Sequence, residues 1–187
     1  MYKIFSKTIE STAVNHLESS NILGELQGAF RKDRRIEDHI FTLHGICSLA
    51  KSSKKPLYIA FLDLSKAFDR VWREGLLAKL WESGIQGKPL RLIKEIYRNV
   101  QNKVLFNDYE SDYFDQEYGV KQGCVLYSTL FSVLMSDLVQ MLSDKNIGVN
   151  ISLNLTNCLL FADDVVLMAE SPRELQTLLQ ISHQFAQ

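Results

Sequence analysis

Apolar residues recur along this chain in two rhythms, and the alternation between them predicts the order of its elements. In residues 4–19, Ile9, Ala13 and Leu17 stand at helical spacing, and Gly24 and Gly28 end the pattern. Ile36, Ile40, Leu43, Cys47 and Ala50 then recur in steps of four and three, which predicts a helix with those residues along its inward line. The hydrophilic run Ser52-Ser53-Lys54-Lys55-Pro56 breaks it and reads as a linker. Leu57 to Leu64 is a continuous apolar run, too short for a helix. It predicts a central strand buried on both faces, with Asp63 near its C-terminal end. A helix is predicted over 73–83, with Leu76, Leu77, Leu80 and Trp81 inward and Gly84 closing it. Pro89 opens another, which buries Leu90, Ile93, Ile96 and Tyr97. Trp72 and Trp81 read as core anchors.

Residues 103–118 alternate loosely through Val104, Phe106, Tyr113 and Phe114, as a β-hairpin does. Its acids, Asp108, Glu110, Asp112, Asp115 and Glu117, read as a solvated face. After the turn at 119–124, Leu130, Phe131, Leu134, Met135, Leu138 and Met141 mark a helix with a wide apolar stripe. Two short apolar runs follow, Leu159-Leu160-Phe161 and Val165-Val166-Leu167-Met168, joined by Ala162-Asp163-Asp164. They predict a tight hairpin with acids at its tip. Ser171-Pro172-Arg173-Glu174 is a helix start, with Ser as N-cap, Pro at the first helical position and Glu at the third. Leu175, Leu178, Leu179 and Phe185 then face inward.

The carboxylates carry the chemistry. Hairpin tips favour Asn-Gly or Asp-Gly, so Asp163-Asp164 is an unforced choice. Two like charges side by side repel unless a cation stands between them. Alone, the pair reads as a solvent-exposed acidic turn sooner than as a metal site. Asp63 is the second anomaly, because a carboxylate inside a buried strand is costly unless it is paired or bound to metal. Adjacent strands in one sheet would bring the three acids together. Oxygen ligands in that arrangement suit two Mg²⁺ ions ~3.5–4 Å apart, and hence phosphoryl transfer by positioning and electrostatics.

Composition changes this picture little. With 46% hydrophobic and 23% charged residues, the 187-residue chain is an ordinary globular sequence rather than a disordered one. Cys47, Cys124 and Cys158 lie far apart with no C-x-x-C pairing, which favours reduced thiols and an intracellular setting, nucleus or cytoplasm. The start has no apolar core fit for a signal peptide, and no run is expected to span a membrane. The net charge of −1 is split, about +3 over residues 1–60 and −4 beyond. The basic segment Phe30-Arg31-Lys32-Asp33-Arg34-Arg35 feeds a helix and is equally a phosphate cradle or a solvated run. His16, His39, His44 and His183 have no metal-binding spacing.

Four stretches bear a resemblance. Ala60-Phe61-Leu62-Asp63-Leu64-Ser65-Lys66-Ala67-Phe68-Asp69-Arg70-Val71 resembles motif A of the reverse transcriptases of non-LTR (LINE-type) retrotransposons. Gly119-Val120-Lys121-Gln122-Gly123-Cys124-Val125-Leu126 resembles their motif B, and Phe161-Ala162-Asp163-Asp164 their motif C. Leu26-Gln27-Gly28-Ala29-Phe30-Arg31-Lys32, through Asp38 and Leu43, is similar to the fingers motif before A. Order and spacing agree from roughly residue 20 onward.

The resemblance implies an α+β fold. Its parts are a right-hand polymerase palm, a ferredoxin-like antiparallel sheet with helices on one face, over 57–187, and a helical fingers part over 1–56. It implies an RNA-directed DNA polymerase that adds dNTPs to a primer 3′-OH, with an RNA template, a DNA primer and two Mg²⁺ ions (Mn²⁺ also serving). Asp63, Asp163 and Asp164 match the catalytic and metal-binding aspartates, and the Leu64 carbonyl the backbone metal ligand. Phe68 matches the ring that excludes a ribose 2′-OH. Gln122, Gly123, Arg31, Arg34, Arg35, Lys66 and Ala67 match positions around the incoming nucleotide, and Asp69 reads as a structural cap. The sequence departs from the family at Tyr127-Ser128, where Ser-Pro is usual. The family's motif D strand, primer grip and thumb are absent from these residues, so the resemblance implies fingers with most of a palm, C-terminally truncated. The second reading keeps the family without the chemistry: an inactive remnant with weak RNA binding. An aspartyl-phosphate phosphatase is set aside, because Asp63-Leu64-Ser65 lacks the second acid of D-x-D-x-T.

Overall fold

The computed structural model describes residues 2–20, 22–120, 125–151 and 154–187. In chain order the elements are α1 (Tyr2–Ser19), α2 (Ile36–Ser52), β1 (Tyr58–Asp63), α3 (Arg73–Glu82) and α4 (Gly87–Ile96). Four short strands follow, β2 (Gln101–Asn102), β3 (Leu105–Phe106), β4 (Tyr109–Glu110) and β5 (Phe114–Asp115). The last six are α5 (Val125–Ser143), β6 (Val149–Ile151), β7 (Asn154–Thr156), β8 (Cys158–Phe161), β9 (Asp164–Ala169) and α6 (Pro172–Phe185). They form two compact units, Met1–Ser20 with Lys66–Phe131, and Asn21–Ser65 with Ser132–Gln187.

The second unit is built on an antiparallel sheet of three strands in the order β1-β9-β8. β8 and β9 are joined as a hairpin, and the other side of β9 pairs with β1. That makes β1 an edge strand rather than the central one its apolar run predicts. The exposure agrees: Phe61 is 71% exposed, and Asp63 is exposed too. An edge strand is covered on fewer sides, so a continuous apolar run did not require burial on both faces. Alternation divides the residues between the faces. Ile59, Leu159, Val166 and Met168 pack against Leu43 and Ile46 of α2. α6 packs on β9 and β1, burying Leu178 and Ile181. Its start is as predicted: the Ser171 side chain accepts from the Glu174 N–H, and Pro172 stands at the first helical position.

The inward line of α2 runs through Ile46, which is 2% exposed. Ile36 and Ile40, expected on that line, are 45% and 60% exposed. Ile40 lies one residue, or about 100° of rotation, from the half-buried His39, which takes the inward position instead.

In the first unit α1 packs on α4, and α3 on α4. Ile9, Ala13 and Leu17 are buried as expected. Leu76 and Leu80 are fully buried, but Trp72 and Trp81 are 61% and 57% exposed and are not part of the core. Trp81 follows Leu80 and is therefore turned about 100° off the buried stripe. α3 ends in a Schellman motif. Gly84, at φ 82, donates to the Trp81 carbonyl at 3.0 Å, and Ile85 donates to Leu80 at 2.9 Å. α4 starts at Gly87, two residues before Pro89, and buries Ile93 and Tyr97.

Residues 101–115 form a small ladder, β2 with β5 and β3 with β4, with Lys103 paired to Glu110. Its acids are solvent-exposed, as read from the sequence. α5 buries Leu130, Phe131, Met135 and Leu138, while Met141 is 37% exposed. By length and composition alone Leu126–Ser143 is apolar enough to cross a membrane, against expectation, with a mean hydropathy of 1.2. Most of it is buried within the protein, as in a core helix. Tyr127 is buried in its first turn, edge-on to Tyr97 with ring centroids 5.6 Å apart. Cys47 and Cys158 are free thiols, and burial raises the Cys158 pKa to about 12.

Candidate active site

The site begins with strand register. In the β1–β9 ladder Tyr58 pairs with Ala169, and the register runs without a break to Asp63 opposite Asp164. On the other side of β9, Asp164 also faces Phe161 of β8. Directly opposed residues share a face, with Cβ atoms ~4.5–5.5 Å apart. Asp63 and Asp164 therefore end the α2-facing side of the sheet, and both are exposed. His39 of α2 meets Phe161 edge-on at 6.3 Å on the same side. Burial there lowers the His39 pKa, against an opposing contribution from Asp38.

Asp163 sits in the two-residue turn between β8 and β9, beside Ala162, whose φ is 59. The turn is the tight acidic tip read from the sequence. Among the described residues, no three His, Cys, Asp or Glu side chains are grouped closely enough to hold a metal ion. The three carboxylates share one end of the sheet without converging, and like charges at that spacing favour turning apart. The candidate ligands, the Asp63, Asp163 and Asp164 carboxylates and the Leu64 carbonyl, all donate oxygen. That donor set fits a hard divalent cation.

The candidate nucleotide residues are placed differently. In the sheet's own unit, Arg31 donates to the carbonyls of Gly24 and Gln27, Arg34 pairs with Glu25, and the Arg35 N–H donates to Asp38 at 2.9 Å. Lys66, Ala67 and Phe68 belong to the other unit. Lys66 has φ 55, and its carbonyl accepts from the N–H groups of Asp69 and Arg70. Phe68 stacks on Phe131 at 4.5 Å, and its carbonyl accepts from Val120 at 2.8 Å. Gln122 and Gly123 lie outside the described residues.

Two supporting residues escaped the sequence reading. Arg73, 7% exposed, donates to the carbonyls of Gln116, Tyr118 and Gly119, and its guanidinium lies 5.1 Å from the Tyr97 ring centroid. It ties α3 to the segment entering motif B. Gly119 there has φ 85, and a Cβ on it would meet the Asp69 carbonyl oxygen at 2.7 Å. The second is Gln27, fully buried beside the acidic hairpin. Gln27 stands within the fingers motif, yet nothing in the sequence gives the partners of either residue. A lone Arg at a helix start and a lone Gln in a loop both read as surface residues.

The comparisons with known proteins agree with this layout. The family model for reverse transcriptase (RNA-dependent DNA polymerase) matches residues 1–187. A Retrovirus-related Pol polyprotein from a type-1 retrotransposable element of Nasonia vitripennis is 29% identical over 162 residues, 87% of this chain and 16% of that protein. The RNA-directed DNA polymerase from mobile element jockey of Drosophila funebris is 25% identical over 90% of this chain and 18% of its own length. The chain thus spans less than a fifth of these two relatives. Among solved structures, an apo telomerase from Candida tropicalis superposes with a TM-score of 0.67 at 15% identity, covering 97% of this chain and 38% of that one. A Candida albicans telomerase in complex with a fragment of telomeric RNA gives 0.65 at 13% identity, over 96% and 32%. These likenesses show a polymerase fold. With its acids at one sheet end and the family model matched along its whole length, the chain belongs to the reverse transcriptase family, alongside the polymerases of non-LTR retrotransposons.

Proposed function

We propose that these residues form the catalytic part of an RNA-directed DNA polymerase, extending a DNA primer with dNTPs on an RNA template. The observation that carries the reading is the β1–β9 register, which sets Asp63 opposite Asp164 with Asp163 next in the turn. Two Mg²⁺ ions, or Mn²⁺, held by Asp63, Asp163, Asp164 and the Leu64 carbonyl would acidify the primer 3′-OH and offset charge on the departing pyrophosphate. In this reading 57–187 acts as palm and 1–56 as part of the fingers.

The chain's own residues hold and select the nucleotide. Arg31, Arg34 and Arg35 supply guanidinium donors for the triphosphate. The carbonyl and carboxylate partners that the Arg31 and Arg34 guanidinium groups now hold are ones that phosphate oxygens would replace. By likeness to the family's motifs, the Lys66 and Ala67 backbone amides, Gln122 and Gly123 also serve the incoming nucleotide. Phe68 excludes a 2′-OH by bulk, and its stack on Phe131 keeps the ring from yielding.

The test is primer extension by a polypeptide carrying these residues together with a thumb. Extension depends on Mg²⁺, and Asp163→Ala abolishes it; undiminished extension by that variant overturns the assignment. Phe68→Ala admits ribonucleotides, and an unaltered preference for dNTPs removes Phe68 from the gate.

A further inference from the structure

The acidic turn is held from outside the hairpin. Leu160 of β8 donates to the Leu26 carbonyl at 2.9 Å, and Gly28 donates to the Leu160 carbonyl at 2.9 Å. Residues 26–28 thus bridge the free edge of β8 and bring the Gln27 side chain, 0% exposed, alongside the turn. There the carboxamide oxygen accepts from the Ala162 N–H at 3.3 Å and from the Ala29 N–H at 3.0 Å. The carboxamide nitrogen donates to the Ala162 carbonyl at 3.4 Å. Exchanging oxygen and nitrogen would set an NH₂ against the Ala29 N–H, so the network has one consistent orientation.

Two-residue hairpin turns come in two forms. One has positive φ at both central residues and the other at the first only, and a flip of the peptide between them separates the two. Ala162 has φ 59, whereas Asp163 is not among the positive-φ residues. The peptide that flips is the one whose oxygen Gln27 holds. A flip would turn the Asp163 backbone and swing its carboxylate to a new direction, with β8 and β9 unchanged.

We infer that Gln27 is a positioning residue. Its side chain locks the peptides flanking Ala162 in one turn form and so sets the direction of Asp163 relative to Asp63 and Asp164. The purpose of the lock rests on the polymerase reading, while the lock itself rests on the hydrogen bonds.

The experiment uses the full chain, ¹⁵N-labelled, with two variants. Gln27→Leu removes both partners of Ala162. Gln27→Glu is nearly isosteric and keeps the acceptor, but it loses the donor and sets a carboxylate against the Ala162 oxygen. Amide exchange at Ala162 is expected to quicken by at least about 10-fold in Gln27→Leu. In Gln27→Glu the Asp163 backbone resonances shift while those of Leu160 and Val165 stay. Mn²⁺ titration is expected to show a Kd raised about 10- to 100-fold in both variants, the range typical when a group supporting a metal ligand is lost. If Gln27→Leu does not fold, Gln27→Glu decides alone. Wild-type exchange and resonances in the variants overturn the inference, as do shifted resonances with an unchanged Mn²⁺ Kd. If the wild-type chain itself takes up no Mn²⁺, the metal reading fails instead. Gln27 is then judged on the amide data, where shifted resonances uphold the lock and unshifted ones overturn it.

Discussion

Neutralising Asp63 should make the metal-free protein more stable, which is the reverse of what most substitutions in a folded chain do. Asp63 is directly opposite Asp164 in the ladder, and both are exposed. At the ~5 Å typical of opposed Cβ positions, two unit charges repel by about 0.8 kcal/mol in water and by about 3 kcal/mol at an effective dielectric of 20. Solvent exposure keeps the pair near the lower figure, so about 1 kcal/mol is released by Asp63→Asn. For a chain of this size that raises Tm by about 2–4 °C. A divalent cation reverses the order. At 100 times its Kd it adds about 2.7 kcal/mol to the wild-type chain, and the variant, short of one carboxylate, gains far less. The assay is thermal unfolding followed by circular dichroism at low ionic strength, in EDTA and in excess Mg²⁺. The variant melts higher in EDTA and lower in Mg²⁺. Adding 1 M NaCl narrows the EDTA difference, because the repulsion is screened over about 3 Å. A variant that melts at or below wild type in EDTA, or that gains as much from Mg²⁺, would refute the opposed-carboxylate site.

Arg73→Leu should cost about 3 kcal/mol in urea unfolding, since it strips a charged donor from three carbonyls around the entry to motif B. Arg73→Lys recovers only part of that, having no planar fork, and a loss under about 1 kcal/mol in Arg73→Leu would show the contacts to be incidental. The Cys158 thiol, held at about 12 by burial against a usual 9.0, binds its proton more tightly folded than unfolded. Its contribution is fully present below pH 9.0 and is lost as pH rises from there toward about 12. Cys158→Ser should flatten that fall in a pH series of urea midpoints, and the wild-type thiol should react with a maleimide no faster than the sheet opens.

The helices were legible in the sequence because their signals are local. The Ser171-Pro172-Glu174 start and the Gly84 stop each act within a few residues, and a helix satisfies its own backbone. The acidic hairpin was legible for the same reason. Motif likeness, carried by short runs of adjacent residues, supplied the family. Those signals give each element's identity but not its neighbours.

Neighbours were what folding decided. An apolar run such as Leu57–Leu64 is equally compatible with the middle of a sheet and with its edge, because hydrophobicity does not record which strand lies alongside. In the strand order β1-β9-β8, β9 has a neighbour on each side and β1 stands at the edge. Helical periodicity likewise left open which turn of α2 meets the sheet, so Ile46 is buried and Ile40 is not. The roles of Gln27 and Arg73 were not legible, because they lie in the carbonyls and N–H groups these residues reach, at Ala162 and around Gly119, which no local pattern encodes. The sequence alone determined that three aspartates exist in the right motifs. Only the antiparallel register, fixed by long-range backbone hydrogen bonds, decided that Asp63 and Asp164 stand face to face.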